Sequence, residues 1–168
     1  MKIIVIDNYF NDIELYYANA KEIPLYDNTE YNNKFNKNQN WVGKRSDALS
    51  IANPYLNNIL VENLKNNFIK YIEEGTIQIT SCIHERNEED NKNDWIHKDI
   101  DNCNYVGLVY LSKTNLNSGT LFFNENNQVI NDVKFVQNRA LFFDARYNHV
   151  GYGHHKNRLN LTMSISYI

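Results

Sequence analysis

Cysteine, proline and any excess of positive charge are all scarce in this 168-residue chain. Its two cysteines, Cys82 and Cys103, form neither a C-x-x-C pair nor a finger-like Cys/His spacing. This excludes a disulfide-stapled secreted scaffold and fits two free thiols in a reducing compartment. With two prolines and six glycines there is no Pro/Gly linker to mark a second domain. No internal repeat is visible, and no stretch approaches the ~18 apolar residues of a membrane span. The opening MKIIVIDNYFNDIE is broken by Asp7 and lacks a small-residue cleavage site, so it is not a signal peptide. The expected location is cytoplasmic. Lys and Arg number 17 against 20 Asp and Glu, giving a net charge of -3 and a pI near 5.9. That balance speaks against a protein held on nucleic acid by phosphate contacts, although a local basic groove survives a mildly acidic average.

Asparagine makes up about a sixth of the chain, scattered among apolar positions rather than in runs, and it accounts for most of the mean hydropathy of -0.60. Aromatic residues at 13% argue for a packed core rather than disorder. A chain of this length can bury such a core without metal or disulfide staples, so one domain over 1–168 is expected.

Hydrophobic period divides the chain in two. The run from Lys2 to Ile6 predicts a buried strand. Asn11 followed by Glu14 predicts a capped helix over roughly 12–22. Residues 25–48 have no clean period and read as a long surface loop. Asn53-Pro54 is an N-cap with proline at the first helical position. Leu56, Ile59, Leu60, Leu64, Phe68 and Ile69 then follow helical spacing to about Glu73, and Gly75 ends the helix. Beyond it the period becomes 2, with strands at 76–83, 104–111, 119–123, 132–136, 139–143 and 158–167. A helical segment over 1–74 followed by a strand-rich 75–168 is an α+β pattern, helices packed on a curled sheet. Strands of this number suit a two-sheet jelly roll whose mouth can hold a ligand.

The chemistry-bearing residues lie in the second half. His97 and Asp99 stand two apart, which on a strand puts both side chains on one face. His149 follows the apolar RALFFDARY strand by a short turn. Two imidazoles and one carboxylate on one face of a metal leave three open positions, the ligand set of non-haem Fe(II) oxygenases. Arg158, nine residues after His149, heads an alternating strand and could grip the far carboxylate of a 2-oxo acid in bidentate fashion. His154 and His155 are too close to Arg158 in sequence to reach the metal as well, and read as loop residues at the mouth of the site. His84, beside Glu85 and Arg86, reads as a surface polar residue.

With these residues in place the sequence resembles the 2-oxoglutarate- and Fe(II)-dependent oxygenase superfamily, in particular its prolyl-hydroxylase-like branch. Within that branch it resembles a group from bacteria and tailed phages that pairs W-[IV]-H-x-D with a G-T-x-F/Y strand and an upstream G-[KR]-R-S segment. Here those are Trp95-Ile96-His97-Lys98-Asp99, Gly119-Thr120-Leu121-Phe122 and Gly43-Lys44-Arg45-Ser46. The resemblance implies a double-stranded β-helix with N-terminal helices packed on the sheet, and Fe(II) held by His97, Asp99 and His149. It implies 2-oxoglutarate and O2 as co-substrates, with the C5 carboxylate on Arg158, and Tyr110 and Thr162 as further co-substrate contacts. Many superfamily members carry R-x-S where this chain has Arg158-Leu159-Asn160, so either Asn160 replaces the serine or the contact moves to Tyr110 and Thr162. Related halogenases have Gly or Ala where this chain has Asp99, so hydroxylation is implied instead. Trp95 either lines the substrate approach or covers the rim. Trp41, Arg45 and Ser46 are candidates for a lid, with Arg45 and Trp95 as substrate contacts. A peptidyl or amino-acid side chain is the first substrate expected. A non-catalytic ligand-binding jelly roll and a nucleobase-directed oxygenase are the alternatives, the latter disfavoured by Glu88-Glu89-Asp90 close to the His97 segment.

Overall fold

In the computed structural model, which describes residues 3–38, 40–69, 76–92, 94–100, 103–153 and 156–168, the change of period becomes a change of layer. The helical layer begins with α1 (Ile13–Lys21), where the carboxylate of Asp12 accepts from the Leu15 N–H at 2.9 Å. The cap is therefore Asp12 and not Asn11; both residue types cap equally well, and only the backbone entry decides between them. A second helix, α2 (Asn28–Phe35), occupies part of what the sequence suggests is loop. It starts with a reciprocal capping box between Asp27 and Glu30 and ends at Asn36 in the left-handed conformation. No residue of α2 is fully buried, which is why it shows no apolar stripe. The same stretch also holds the short strand β2 (Lys44–Arg45).

One-turn α3 (Leu49–Ala52) leads through Asn53 into α4 (Pro54–Asn67). The Asn53 side chain accepts from Leu56 N–H at 3.1 Å, with Pro54 at the first position, as the sequence indicates. Leu56, Leu60 and Leu64 fall on one face and are buried, continuing into Phe68, which stacks on Phe142 at 4.2 Å. Each such side chain contributes roughly 1.5–3 kcal/mol through burial. The expected helix end near Glu73 and the stop at Gly75 lie outside the described residues.

The strands form two antiparallel sheets. The larger has the order β1-β7-β4-β9-β3-β2, built from β1 (Ile4–Ile6), β7 (Ala140–Asp144), β4 (Tyr105–Tyr110), β9 (Arg158–Tyr167), β3 (Ile77–Arg86) and β2. The smaller has the order β6-β5-β8, from β6 (Val129–Phe135), β5 (Asn115–Phe123) and β8 (Asn148–Tyr152). β1 is an edge strand with Val5 exposed, so its apolar run does not mark a fully buried strand. β3 runs three residues beyond the expected end at Ile83, and β8 was not expected as a strand. A short helix, α5 (Glu88–Lys92), carries the acidic run.

Alternation separates two cores. Ile83, Val109, Leu111, Ala140, Phe142, Leu159, Leu161, Met163 and Ile165 face the helices together with the α4 leucines. On the other face Val106, Tyr110, Leu141 and Phe143 meet Phe122, Val133 and Phe135 of the smaller sheet. The molecule is thus helices on a six-stranded sheet on a three-stranded sheet, and the polar positions of the second face are free to line a cavity between the sheets.

Candidate metal centre and adjoining cavity

Cross-strand register sets which side chains share that face. Arg86 is paired with Arg158, His84 with Asn160, Cys82 with Thr162, and Arg45 with His84. Directly opposed residues point to the same side of a sheet. These side chains, with Thr120 of β5 and His149 and Gly151 of β8, line a cavity of about 670 Å³. That size lies within the roughly 300–1,000 Å³ of small-molecule sites.

At one end of it His97, Asp99 and His149 bring ligand-type atoms within 4.8 Å of one another. The His97 segment is not a regular strand, contrary to the sequence expectation. It pairs through a β-bridge: His97 N–H donates to His149 C=O at 3.1 Å and His149 N–H to His97 C=O at 3.0 Å. Asp99 N–H donates to Ala145 C=O at 3.0 Å, fixing the carboxylate end. His149 lies within β8, after the short turn that follows β7. The Nδ1 atoms face carbonyls, His97 to Trp95 C=O at 2.8 Å and His149 to Tyr147 C=O at 3.1 Å. A carbonyl can only accept, so each Nδ1 carries the proton and each Nε2 presents its lone pair. His149 Nε2 lies 3.4 Å from Asp99 Oδ2. Such backbone support of the remote nitrogen is how metal-binding imidazoles are oriented. Burial, reinforced by His97, lowers the His149 pKa and keeps the ring neutral.

Beside the triad stands Arg158, 3% exposed, with Nη1 donating to Tyr152 C=O at 3.2 Å. Burial, then the neighbouring Arg86 charge, push its pKa down to about 10, which still leaves a cation at neutral pH. No carboxylate among the described residues forms an ion pair with it. Arg86 is in the opposite situation. Its Nη1 meets Asp94 Oδ2 at 2.5 Å, and that carboxylate also accepts from Gly151 N–H at 3.3 Å. Both guanidiniums pack over Gly151, where an added Cβ would lie 2.8 Å from Arg158 Nη2 and 3.0 Å from Arg86 Nη1.

The other expected contacts are distributed unevenly. Thr162 lines the cavity, its hydroxyl 3.0 Å from Cys82 Sγ. Asn160 lines it too, with Oδ1 buried and unpartnered. Tyr110 sits behind the wall: its hydroxyl, raised to about 12 by burial, is 2.8 Å from Thr120 Oγ1 and donates to Val133 C=O at 3.3 Å. Trp95 is 49% exposed outside the cavity lining, with its ring 5.9 Å from that of His97. Trp41 and Arg45 line the cavity beside His84, but in a hydrogen-bonded wall rather than a free loop: Arg45 pairs with Tyr26 and Ser46 Oγ accepts from Ile83 N–H at 3.0 Å. His84 is buried, not a surface residue; Nε2–H donates to Val42 C=O at 2.7 Å. Burial, then Arg45 and Arg86, hold it well below the usual histidine pKa. His154 and His155 lie outside the described residues.

Sequence reasoning gave no role to Arg86 or Asp94, and named Thr120 only within the Gly119–Phe122 motif. Extending the period-2 pattern of Thr80, Cys82 and His84 by one more step reaches Arg86, so that signal was present. Asp94 carried none, since its partners come from β3 and β8.

The donor set fits Fe(II): two neutral nitrogens and one carboxylate, on one side of a cavity. A dicarboxylate fits as well. Of the seven buried side-chain polar atoms left without a partner among the described residues, six belong to residues lining this cavity: Trp41, Arg45, Ser81, Arg86, Arg158 and Asn160. Unmet buried polar groups concentrated in one place mark a site shaped for a polar ligand.

Neither a protein-family model nor a curated protein sequence matches the chain. Solved structures do. The chain is similar to an oxidoreductase of the 2OG-Fe(II) oxygenase family from Burkholderia pseudomallei, at 9% identity and TM-score 0.68, over 98% of this chain and 84% of that one. It is similar to HygX from Streptomyces hygroscopicus with nickel and 2-oxoglutarate bound, at 13% identity and TM-score 0.71, over 98% and 82%. It is also similar to the viral collagen prolyl hydroxylase from Paramecium Bursaria Chlorella virus-1 in its 2OG complex, at 9% identity and TM-score 0.67, over 100% and 97%. At these identities the likeness is one of fold, and the fold of this chain is that of 2OG-Fe(II) oxygenases.

Proposed function

We propose that the chain is a 2-oxoglutarate- and Fe(II)-dependent dioxygenase, one domain with a double-stranded β-helix core, which hydroxylates its substrate. The observation that carries this reading is a His-Asp-His cluster opening onto the same cavity as a buried arginine that no carboxylate pairs among the described residues. His97, Asp99 and His149 hold the metal through two neutral nitrogens and one carboxylate, leaving the ion a net +1. Bound iron supplies activation of O2 coupled to conversion of 2-oxoglutarate to succinate and CO2. Arg158 receives the C5 carboxylate, whose negative charge offsets a cation that burial otherwise destabilises. Thr162 and Asn160 offer polar groups along the same strand, and Tyr110 acts through Thr120. The sheet and the α4 layer exclude water from the floor beneath them. Asp99 occupies the position a halide would need, which favours hydroxylation. The two free thiols, Cys82 and Cys103, and the oxidation-prone metal suit a reducing, cytoplasmic setting.

The substrate class follows first from the prolyl hydroxylases among the structurally similar proteins: a peptidyl or amino-acid side chain. A nucleobase is disfavoured because α5 carries Glu88, Glu89 and Asp90 within a few residues of the His97 segment. Succinate formation in air, screened with peptides, amino acids and single-stranded DNA, tests the reading. Succinate that needs Fe(II) and vanishes in His97→Ala is the expected result. Metal-independent behaviour, unchanged by a chelator, would instead leave a non-catalytic ligand-binding jelly roll.

A further inference from the structure

Among the described residues, one cation lining the cavity is left with neither a carboxylate partner nor a role assigned above. Three guanidiniums among the described residues line the cavity. Arg86 is neutralised by Asp94, and Arg158 is the one assigned above to the co-substrate. The third, Arg45, lies in β2, two strands from β9 and level with Asn160, so its backbone is about 12 Å from that of Arg158 at normal strand geometry. Its register with His84 turns its side chain into the cavity, while Lys44 beside it points to the other face. Its guanidinium carbon sits 5.0 Å from the centroid of the Trp41 ring, and Trp41 is held edge-on by Tyr31 at 4.9 Å. Among the described residues no carboxylate pairs with Arg45, and its Nε is buried without a partner. Its cross-strand neighbour His84 is neutral and already donates to Val42, and Asp47, two residues on, forms no ion pair with it. Tyr31, Asn38 and Asn40 add further polar groups to the lining. A guanidinium fixed on an aromatic face, half-buried and unpaired, is a receptor for a planar anion.

We propose that the substrate is a small molecule bearing a carboxylate, and that Arg45, seated on Trp41, binds that group while the carbon to be oxidised extends toward the triad. The proposal rests on the oxygenase reading of the cavity and narrows its substrate class from a peptidyl or amino-acid side chain to a free molecule that carries its own carboxylate. A nucleic-acid strand is the poorer occupant. Phosphate tracking needs a run of accessible cations, whereas of the cavity's guanidiniums Arg86 is taken by Asp94 and Arg158 by the co-substrate, and Lys44 beside Arg45 faces away.

The test uses the whole chain loaded with nickel, a redox-silent stand-in for Fe(II). 2-Oxoglutarate binding is measured first by calorimetry. N-acetylglycine is then titrated into the saturated complex, with N-acetylglycinamide as the uncharged control and a single-stranded oligonucleotide as a third probe. The acid binds at least about tenfold more tightly than the amide, the scale of one charge-assisted hydrogen bond. Arg45→Met removes that preference, Arg45→Lys retains part of it, and 2-oxoglutarate binding by both variants shows that they are folded. Equal or absent binding of acid and amide by the wild type overturns the proposal, as does oligonucleotide binding that depends on Arg45. Loss of 2-oxoglutarate binding in Arg45→Met but not in Arg158→Met overturns it too, by moving the co-substrate to Arg45. If the wild type binds no 2-oxoglutarate, the oxygenase reading itself fails.

Discussion

Arg158 is the residue whose energetics say most about use. It is a buried cation with one backbone acceptor and no counter-charge among the described residues, an arrangement that costs stability until an anion arrives. Arg158→Met should therefore act in two directions. The ligand-free protein should melt at a higher temperature, while 2-oxoglutarate binding weakens by roughly 10- to 150-fold, the equivalent of losing about 1.5–3 kcal/mol of charge-assisted hydrogen bonding. Thermal melts with and without 2-oxoglutarate check both signs; a melt lowered in the ligand-free state would remove the idea of a cation awaiting its partner. Gly151→Ala is the companion change. Its methyl group would press on Arg158 and Arg86, so 2-oxoglutarate affinity should drop while nickel binding is retained. The triad and Arg158 were legible because ligand chemistry restricts them to few residue types at short, regular spacing. His84 was misread because neighbouring Glu85 and Arg86 look like a surface turn, whereas Arg86 is buried against Asp94 from a segment the local sequence cannot reveal.

Among the elements, the His97 segment is the one whose geometry depends on partners far away in sequence. It lacks a strand of its own and is held by the bridge to His149, by Asp99 on Ala145, and by Asp94 reaching both Arg86 of β3 and Gly151 of β8. Asp94 is therefore a positioning residue: it fixes where the segment enters the site without touching the metal cluster. Burial alone would raise its pKa, but the Arg86 hydrogen bond and charge prevail and lower it. A carboxyl depressed in the folded state stabilises above its unfolded pKa of about 3.9 and loses that contribution as pH falls through the lower native value. Asp94→Asn should thus flatten the acid limb of the stability-pH curve below about pH 4 and weaken nickel binding, measured by urea melts and calorimetry. An unchanged acid limb would mean the pair contributes nothing. The short elements α2, β2 and β8 escaped sequence reading because their order comes from caps and cross-strand pairing; α2 in particular buries no residue fully. The Asp27-x-x-Glu30 box was nonetheless visible and would have placed α2.

Taken as a whole, the molecule separates stability from chemistry by sheet face. The helix-facing side carries the leucines of α4 and the apolar half of β9, and the opposite side carries Arg158, Asn160 and Thr162. Leu60→Ala, a fully buried truncation, should cost about 2–5 kcal/mol in urea unfolding. The folded fraction should keep its 2-oxoglutarate affinity, because Leu60 lies across the sheet from the cavity. The division into an early helical and a late strand-rich half was plain from the change of period. The split of the strands into a six-stranded and a three-stranded sheet was not, because strand order depends on long-range pairing such as β1 with β7. What most needs testing is that metal and 2-oxoglutarate meet in this one cavity. Anaerobic addition of Fe(II) and then 2-oxoglutarate, followed by visible absorption, reads that meeting directly. A metal-to-ligand charge-transfer band should form in the wild type, vanish in His149→Ala and need much more 2-oxoglutarate in Arg158→Met. No band in the folded wild type, or a band indifferent to both substitutions, would contradict it.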